Sequence, residues 1–299
     1  MSLNIENLTK KFGKTKAVNQ LNLNIEKGQM FGMLGANGAG KTTTFRMILS
    51  LLEPTSGCIT WSNEKINYKT SQLIGYLPEE RGLYPKLKVA EQLVYLGRLR
   101  GMEKKDILTE MHEWLERFKV PENANKRIEE LSKGNQQKIQ FIASVIHRPE
   151  LLILDEPFSG LDPVNVELLK EAVLDLNKSG TTIVFSSHRM EHVEELCEQL
   201  CILHHGTPVV EGRLRDVKKS FGKMNVVIRA DFPLDFLDQF AGVLKVKHTK
   251  EGAVVQIANE DTAHQLFQVL ATKGFVRKFE IEDPSLHDIF LEKVGAHYE

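Results

Sequence analysis

Apolar and polar residues alternate over residues 3–8 and again over 17–26, where Leu21, Leu23 and Ile25 fall on one side. A period of two predicts half-buried strands. Residues 29–34 lose the alternation and predict a strand buried on both faces, and 43–52 predict a helix. The turn Glu53-Pro54-Thr55-Ser56-Gly57 leads to short strands at 58–61 and 73–77. From 87 to 147 the period becomes helical. Val89, Leu93, Leu96 and Leu99 share one face, and Ile107, Met111, Leu115 and Phe118 share another. This stretch predicts a helical insert in an α/β core, closing with a helix that opens at Leu131-Ser132 and runs to His147. Leu151 to Leu154 and residues 181–186 return to the buried-strand pattern.

Near Gly212 the character shifts. Strand-like stretches at 224–230, 243–249, 253–258 and 274–281 are interleaved with helical ones at 236–240 and 262–273. The order β-α-β-β-α-β predicts a small ferredoxin-like α+β domain. With 299 residues, two domains are the default expectation. The boundaries fall at 1–215, including a helical subdomain of about 87–147, and at 222–299.

Chemistry enters at Gly35-Ala36-Asn37-Gly38-Ala39-Gly40-Lys41-Thr42-Thr43. This stretch fits G-x-x-x-x-G-K-[ST], the phosphate-cradling P-loop, and lies between a predicted strand and a predicted helix as that motif requires. Glycines let the backbone N–H groups point inward, and the helix dipole adds positive charge. Lys41 supplies a mobile cation for β- and γ-phosphates, and the Thr42 hydroxyl can ligate Mg²⁺. Asp155 and Glu156 follow four aliphatics at a strand's C-terminal end, where open α/β sheets bind ligands. That placement predicts a Mg²⁺ and water-activating pair. Ser187-His188 arrive at the same sheet edge, and Phe12, ahead of the P-loop, can stack on a base.

A hydrophobic fraction of 41% with 26% charged residues is ordinary for a soluble globular protein. A net charge of -1 argues against broad attraction to nucleic acid or anionic lipid. No apolar run approaches the length that spans a bilayer, and no signal-like segment opens the chain, so a cytoplasmic location is expected. Three cysteines form no disulfide framework. Cys197 and Cys201, with His204 and His205 nearby, invite a metal reading, but the stretch reads better as a helix end entering a buried strand.

The P-loop, Ser132-Lys133-Gly134-Asn135-Gln136, Asp155-Glu156 and His188, in this order, resemble the ATP-binding cassette (ABC) family over about residues 1–215. The resemblance is greatest to ATPase subunits of ABC-2-type exporters, including drug and sodium extrusion systems. It implies a P-loop NTPase cassette with a mixed-sheet core and helical subdomain, and ATP with Mg²⁺ as cofactors. It further implies Phe12 as the adenine-stacking aromatic and residues 35–43 as the Walker A loop. Asp155 becomes the acid that holds Mg²⁺, Glu156 the general base and His188 the γ-phosphate sensor. Ser159-Gly160-Leu161-Asp162 matches the loop that crosses the dimer interface.

Residues 132–136 correspond to the LSGGQ signature, in which Ser132, Gly134, Asn135 and Gln136 would cover ATP held by a second copy. Lys133 and Asn135 depart from the usual Gly and Gln. Glu79 stands where the family usually places a glutamine; a carboxylate can still ligate Mg²⁺, with an extra charge that changes the site. The implied partners are an integral membrane permease and a second copy, or a related ATPase, in a head-to-tail dimer at the inner face of the cell membrane. The other reading is a soluble or regulatory ABC ATPase acting on nucleic acid, ribosomes or membrane-protein assembly. Against the nucleic-acid branch stand a single P-loop, no long coiled-coil insert and no basic bias.

Overall fold

A computed structural model describes residues 2–80 and 82–295. The chain opens on a long hairpin, β1 (Ser2–Phe12) and β2 (Thr15–Glu26), followed by β3 (Met30–Leu34) and α1 (Lys41–Ile48). Next come β4 (Ser56–Trp61), β5 (Glu64–Lys65), α2 (Tyr68–Ser71) and β6 (Ile74–Leu77). The insert contains α3 (Val89–Leu99), α4 (Lys104–Arg117) and α5 (Lys133–Val145), with 3-10 turns between α4 and α5. Then follow β7 (Leu151–Asp155), α6 (Pro163–Lys178), β8 (Thr182–Ser187), α7 (Met190–Leu196), β9 (Gln199–His204) and β10 (Thr207–Arg213).

The chain divides into two compact units, Met1–Glu211 and Gly212–Glu299. In the first, a six-stranded sheet runs β10-β9-β3-β8-β7-β6, and β3 pairs in parallel with both β8 and β9. All five residues of β3, all five of β7 and all six of β8 are buried, because parallel strands are covered on both faces. A second sheet, β2-β1-β4-β5, shares one apolar core with it, in which Trp61, Phe45, Ile48 and Met33 meet Ile153 and Val184.

The insert buries Ile107, Met111, Leu115 and Phe118, as their spacing predicts, and Trp114, Phe118 and Phe141 pack ring against ring. In α3 the expected face shifts. Val89 and Leu93 are buried, but Leu99 is 57% exposed and Gln92 and Gly97 take the inner positions. Gly97 is inner because an added Cβ there would sit 2.7 Å from Ile107.

The second unit contains α8 (Leu214–Ser220), β11 (Met224–Ala230), β12 (Val243–Thr249), β13 (Gly252–Ile257), α9 (Glu260–Lys273), β14 (Val276–Glu282) and α10 (Leu286–Gly295). Its sheet order, β12-β13-β11-β14, with neighbouring strands antiparallel, is the ferredoxin-like arrangement. The helix expected at 236–240 is instead a 3-10 turn, Asp235–Gln239, too short for a second helical turn against the sheet.

Candidate functional site

The P-loop connects the C-terminal end of β3 to α1. Two of its glycines, Gly35 and Gly40, are required by space as well as by torsion. Gly40 has φ +107°, and an added Cβ would lie 2.4 Å from the Ala17 carbonyl oxygen. At Gly35, φ +154°, the same atom would lie 2.6 Å from the Leu203 carbonyl oxygen. The loop is therefore wedged between β2 and β9, and the Gly206 N–H donates to the Ala39 carbonyl at 3.0 Å. Thr44 doubles the first helical bond, giving both N–H and Oγ1 to the Gly40 carbonyl at 2.9 Å.

Lys41 folds back into this loop, donating to the carbonyls of Gly35 at 2.6 Å and Ala36 at 3.3 Å. Its Nζ is 3.7 Å from Glu156 Oε1, and both side chains are 7% exposed. Burial of such a pair is tolerable because each charge is compensated by the other. Glu156 itself has φ +51°, an uncommon conformation for a branchless acid, and its second oxygen is 2.8 Å from His188 Nδ1. Lys41, Glu156 and His188 thus form one connected chain of polar contacts across the ends of three strands.

Asp155 pairs in register with Ser186 of the neighbouring β8. The Ser186 hydroxyl donates to Asp155 Oδ1 at 2.6 Å and accepts the Glu156 N–H at 3.0 Å. One fully buried hydroxyl therefore orients both acids. Asp155 Oδ2 is buried and has no hydrogen-bond partner among the described residues, a costly arrangement unless something positive meets it. The orphaned oxygen fits a divalent cation. Burial, and then the Asp155 carboxylate, push the nearby Tyr76 phenol up to about 12.

A cleft of about 260 Å³ collects Ala36 to Thr43, Ala17, Glu79, Asp155 and Glu156. Thr42 and the exposed Glu79 border it together with Asp155. Phe12 is placed differently, at the β1–β2 hairpin tip, 52% exposed, with the Lys10 ammonium over its ring at 5.3 Å. Residues 132–136 do not line the cleft. Ser132 caps α5, accepting from the Asn135 N–H at 3.3 Å, and Gly134 faces Asn165 at the start of α6. The Gln136 amide is turned inward, donating to the Ile128 and Leu131 carbonyls. Cys197 and Cys201 are both buried, and burial raises both thiol pKa values.

Sequence reasoning passed over two features. Ser186 was hidden inside a strand pattern, and its signal was a hydroxyl in an otherwise apolar run. Helix α5 also ties both loops of the cleft to itself. The Gln137 amide donates to the Pro157 carbonyl at 3.1 Å, and Gln140 to those of Pro78 at 3.1 Å and Glu80 at 3.0 Å. The signal was a glutamine pair on the inner face of an apolar helix.

Residues 18–159 match the ABC transporter family model, and residues 212–294 match the C-terminal domain of ATP-binding proteins of the DrrA1-3-like type. The ABC transporter ATP-binding protein YhaQ of Bacillus subtilis (strain 168) is 64% identical over 99% of this chain and 100% of its own. The chain belongs to the ABC transporter family. A Nod factor export ATP-binding protein I of Cupriavidus pinatubonensis is 37% identical, covering 98% of this chain and 90% of its own. The solved dimeric, post-hydrolysis cassette MJ0796, bound to ADP and Pi, superposes with a TM-score of 0.65 at 25% identity over 71% of this chain and 99% of that one. As a family member this protein is an ATP-binding transporter subunit and an ATPase.

Ser186 yields a prediction for this ATPase. Ser186→Ala should lower kcat by roughly 10-fold, the cost of about one lost hydrogen bond to a charged group, and Ser186→Thr should restore most of it. Steady-state turnover with a Mg²⁺ titration measures it; equal activity in the alanine variant would remove Ser186 from the positioning of the two acids.

Proposed function

We propose that two copies of the chain close head-to-tail around two Mg·ATP and drive a separate membrane permease in export. The observation that carries this reading is the division of the nucleotide machinery. The cleft collects the P-loop, Asp155, Glu156 and Glu79, while the capped N-terminus of α5 lies outside it with Ser132 exposed. A helix N-terminus with free donors suits the outer phosphate of a nucleotide held elsewhere, and a second copy supplies that nucleotide. The dimeric state named for the MJ0796 cassette supports the arrangement.

In this reading Lys41 binds the β- and γ-phosphates, which offer it a stronger partner than two carbonyl oxygens. Glu156 takes the proton of the attacking water, and His188 holds the carboxylate in place and meets the γ-phosphate. Asp155, Thr42 and Glu79 would hold Mg²⁺, which neutralises phosphate charge when bound. Phe12 stacks on the adenine, and Ser132, Gly134 and Asn135 close over the nucleotide of the other copy. Gln136 acts from behind by fixing the loop that presents them.

No described helix is long and apolar enough to cross a membrane. A second cleft of about 420 Å³, lined by Tyr76, Pro78, Leu96, Leu99 and Gln140, opens between the insert and the sheet edge. Because Gln140 grips the loop bearing Glu79, a permease segment seated there would sense the nucleotide site and keep the protein at the inner membrane face. Export is the direction by analogy with the Nod factor export relative. Sedimentation of a slowly hydrolysing variant should show monomers without nucleotide and dimers with Mg·ATP, and co-purification should bring down a protein with several apolar spans. A chain that stays monomeric with ATP and purifies without such a partner overturns the proposal.

A further inference from the structure

None of the residues that line the cleft belongs to the second unit, and the side of its sheet opposite the apolar core carries an ordered charge pattern. On one side Val226, Ile228, Val255 and Ile257 are buried with Leu237, Leu266 and Leu270. Pleating sends the alternate residues to the opposite side. The register aligns them in rows across β12, β13, β11 and β14. One row reads Lys247, Val254, Val227, Glu280, and the next Lys245, Gln256, Asn225, Glu282. The four charged residues are exposed and the middle four half-buried. At the foot of the face Asn225 donates to Asp288 of α10 at 3.1 Å.

The face therefore carries Lys245 and Lys247 on β12 and Glu280 and Glu282 on β14, where Lys278 of the adjoining row, beside Arg229, already pairs with Glu280. We propose that it docks on the same face of a second copy, about a two-fold axis parallel to the strands. That operator lays β12 over β14 of the second copy and sets Lys247 against Glu280 and Lys245 against Glu282, twice. The alternative two-fold, across the strands, lays lysine on lysine and glutamate on glutamate, which is repulsive. Within the chain, Lys278 pairs with Glu280 at 2.5 Å and Arg229 with Glu251 at 2.8 Å. Neither Lys245 nor Lys247 has an ion-pair partner among the described residues, so the basic edge is the half in need of a complement. A four-stranded face is only about 19 Å wide, too small to hold a dimer alone. It acts on chains already brought together, where the effective concentration is of order millimolar. The contact thus adds to the head-to-tail reading above and supplies a second, nucleotide-independent surface.

Single-cysteine full-length chains test it. Cys58→Ser removes the exposed native thiol, and Cys197 and Cys201 are buried with raised pKa values, so neither reacts. A tagged Lys247→Cys chain mixed with an untagged Glu280→Cys chain, treated with a short bis-maleimide with and without Mg·ATP, should give a hybrid dimer band. The band should be stronger with ATP, and Lys247→Cys alone should give none. Adding Lys245→Glu to the first chain should weaken the band about two- to fivefold, the worth of an exposed ion pair, and Glu282→Lys in the second should restore it. Absence of the hybrid band under both conditions overturns the proposal, as does a Lys247–Lys247 band or indifference to the charge reversal. Failure of ATP to drive dimers in sedimentation overturns the head-to-tail reading instead.

Discussion

Glu156→Gln is expected to lower ATP turnover by roughly 10²–10⁴-fold, the usual scale for a positioned general base, while ATP binding persists. The residue is held from three directions: its carboxylate by Lys41 at 3.7 Å and His188 at 2.8 Å, and its backbone N–H by the Ser186 hydroxyl at 3.0 Å. Glutamine keeps the volume and the contact to His188 but accepts no proton. The backbone at φ +51° is equally open to glutamine, so a loss of activity reports chemistry rather than misfolding. Phosphate release and nucleotide titration on the same preparation separate the two effects. Turnover within a few-fold of the parent would remove Glu156 from the base role.

Lys41→Ala is expected to weaken ATP binding by roughly 10–100-fold, since a charge-assisted bond to phosphate contributes about 1.5–3 kcal/mol. The loss has a second origin. Without the ammonium, Glu156 becomes a buried carboxylate facing the incoming phosphates, and like charges repel. Combining Lys41→Ala with Glu156→Gln should therefore recover part of the affinity, a coupling that a double-mutant cycle reads directly. Unchanged affinity in the single variant would contradict the P-loop assignment. Equal losses in the single and double variants would show that the 3.7 Å contact carries no energy.

Much of the cassette is legible in adjacent residues. Gly35 to Thr43 encode the loop because torsion, close approach and helix start are all local requirements, and the structure meets each of them at Gly35 and Gly40. Leu151 to Leu154 encode a strand covered on both faces, and the acids at its end follow from strand polarity. The spacing of Ile107, Met111, Leu115 and Phe118 likewise selects the buried face of α4 without reference to any partner.

Other features were decided only by the tertiary structure, because they join residues far apart in the chain. Ser186 meets Asp155 and Glu156 across about thirty residues through parallel pairing of β7 and β8. Lys41 meets Glu156 because β3 and β7 both flank β8, an order that no local pattern contains. Leu99 is exposed and Gly97 inner because α4 crosses α3 where Ile107 needs the space. In the second unit alternation predicted the strands, but the opposed lysine and glutamate edges emerge only once the order β12-β13-β11-β14 is known. Sequence periodicity assigns a residue to a face; which residues share that face across a sheet is set by how strands from distant parts of the chain pair.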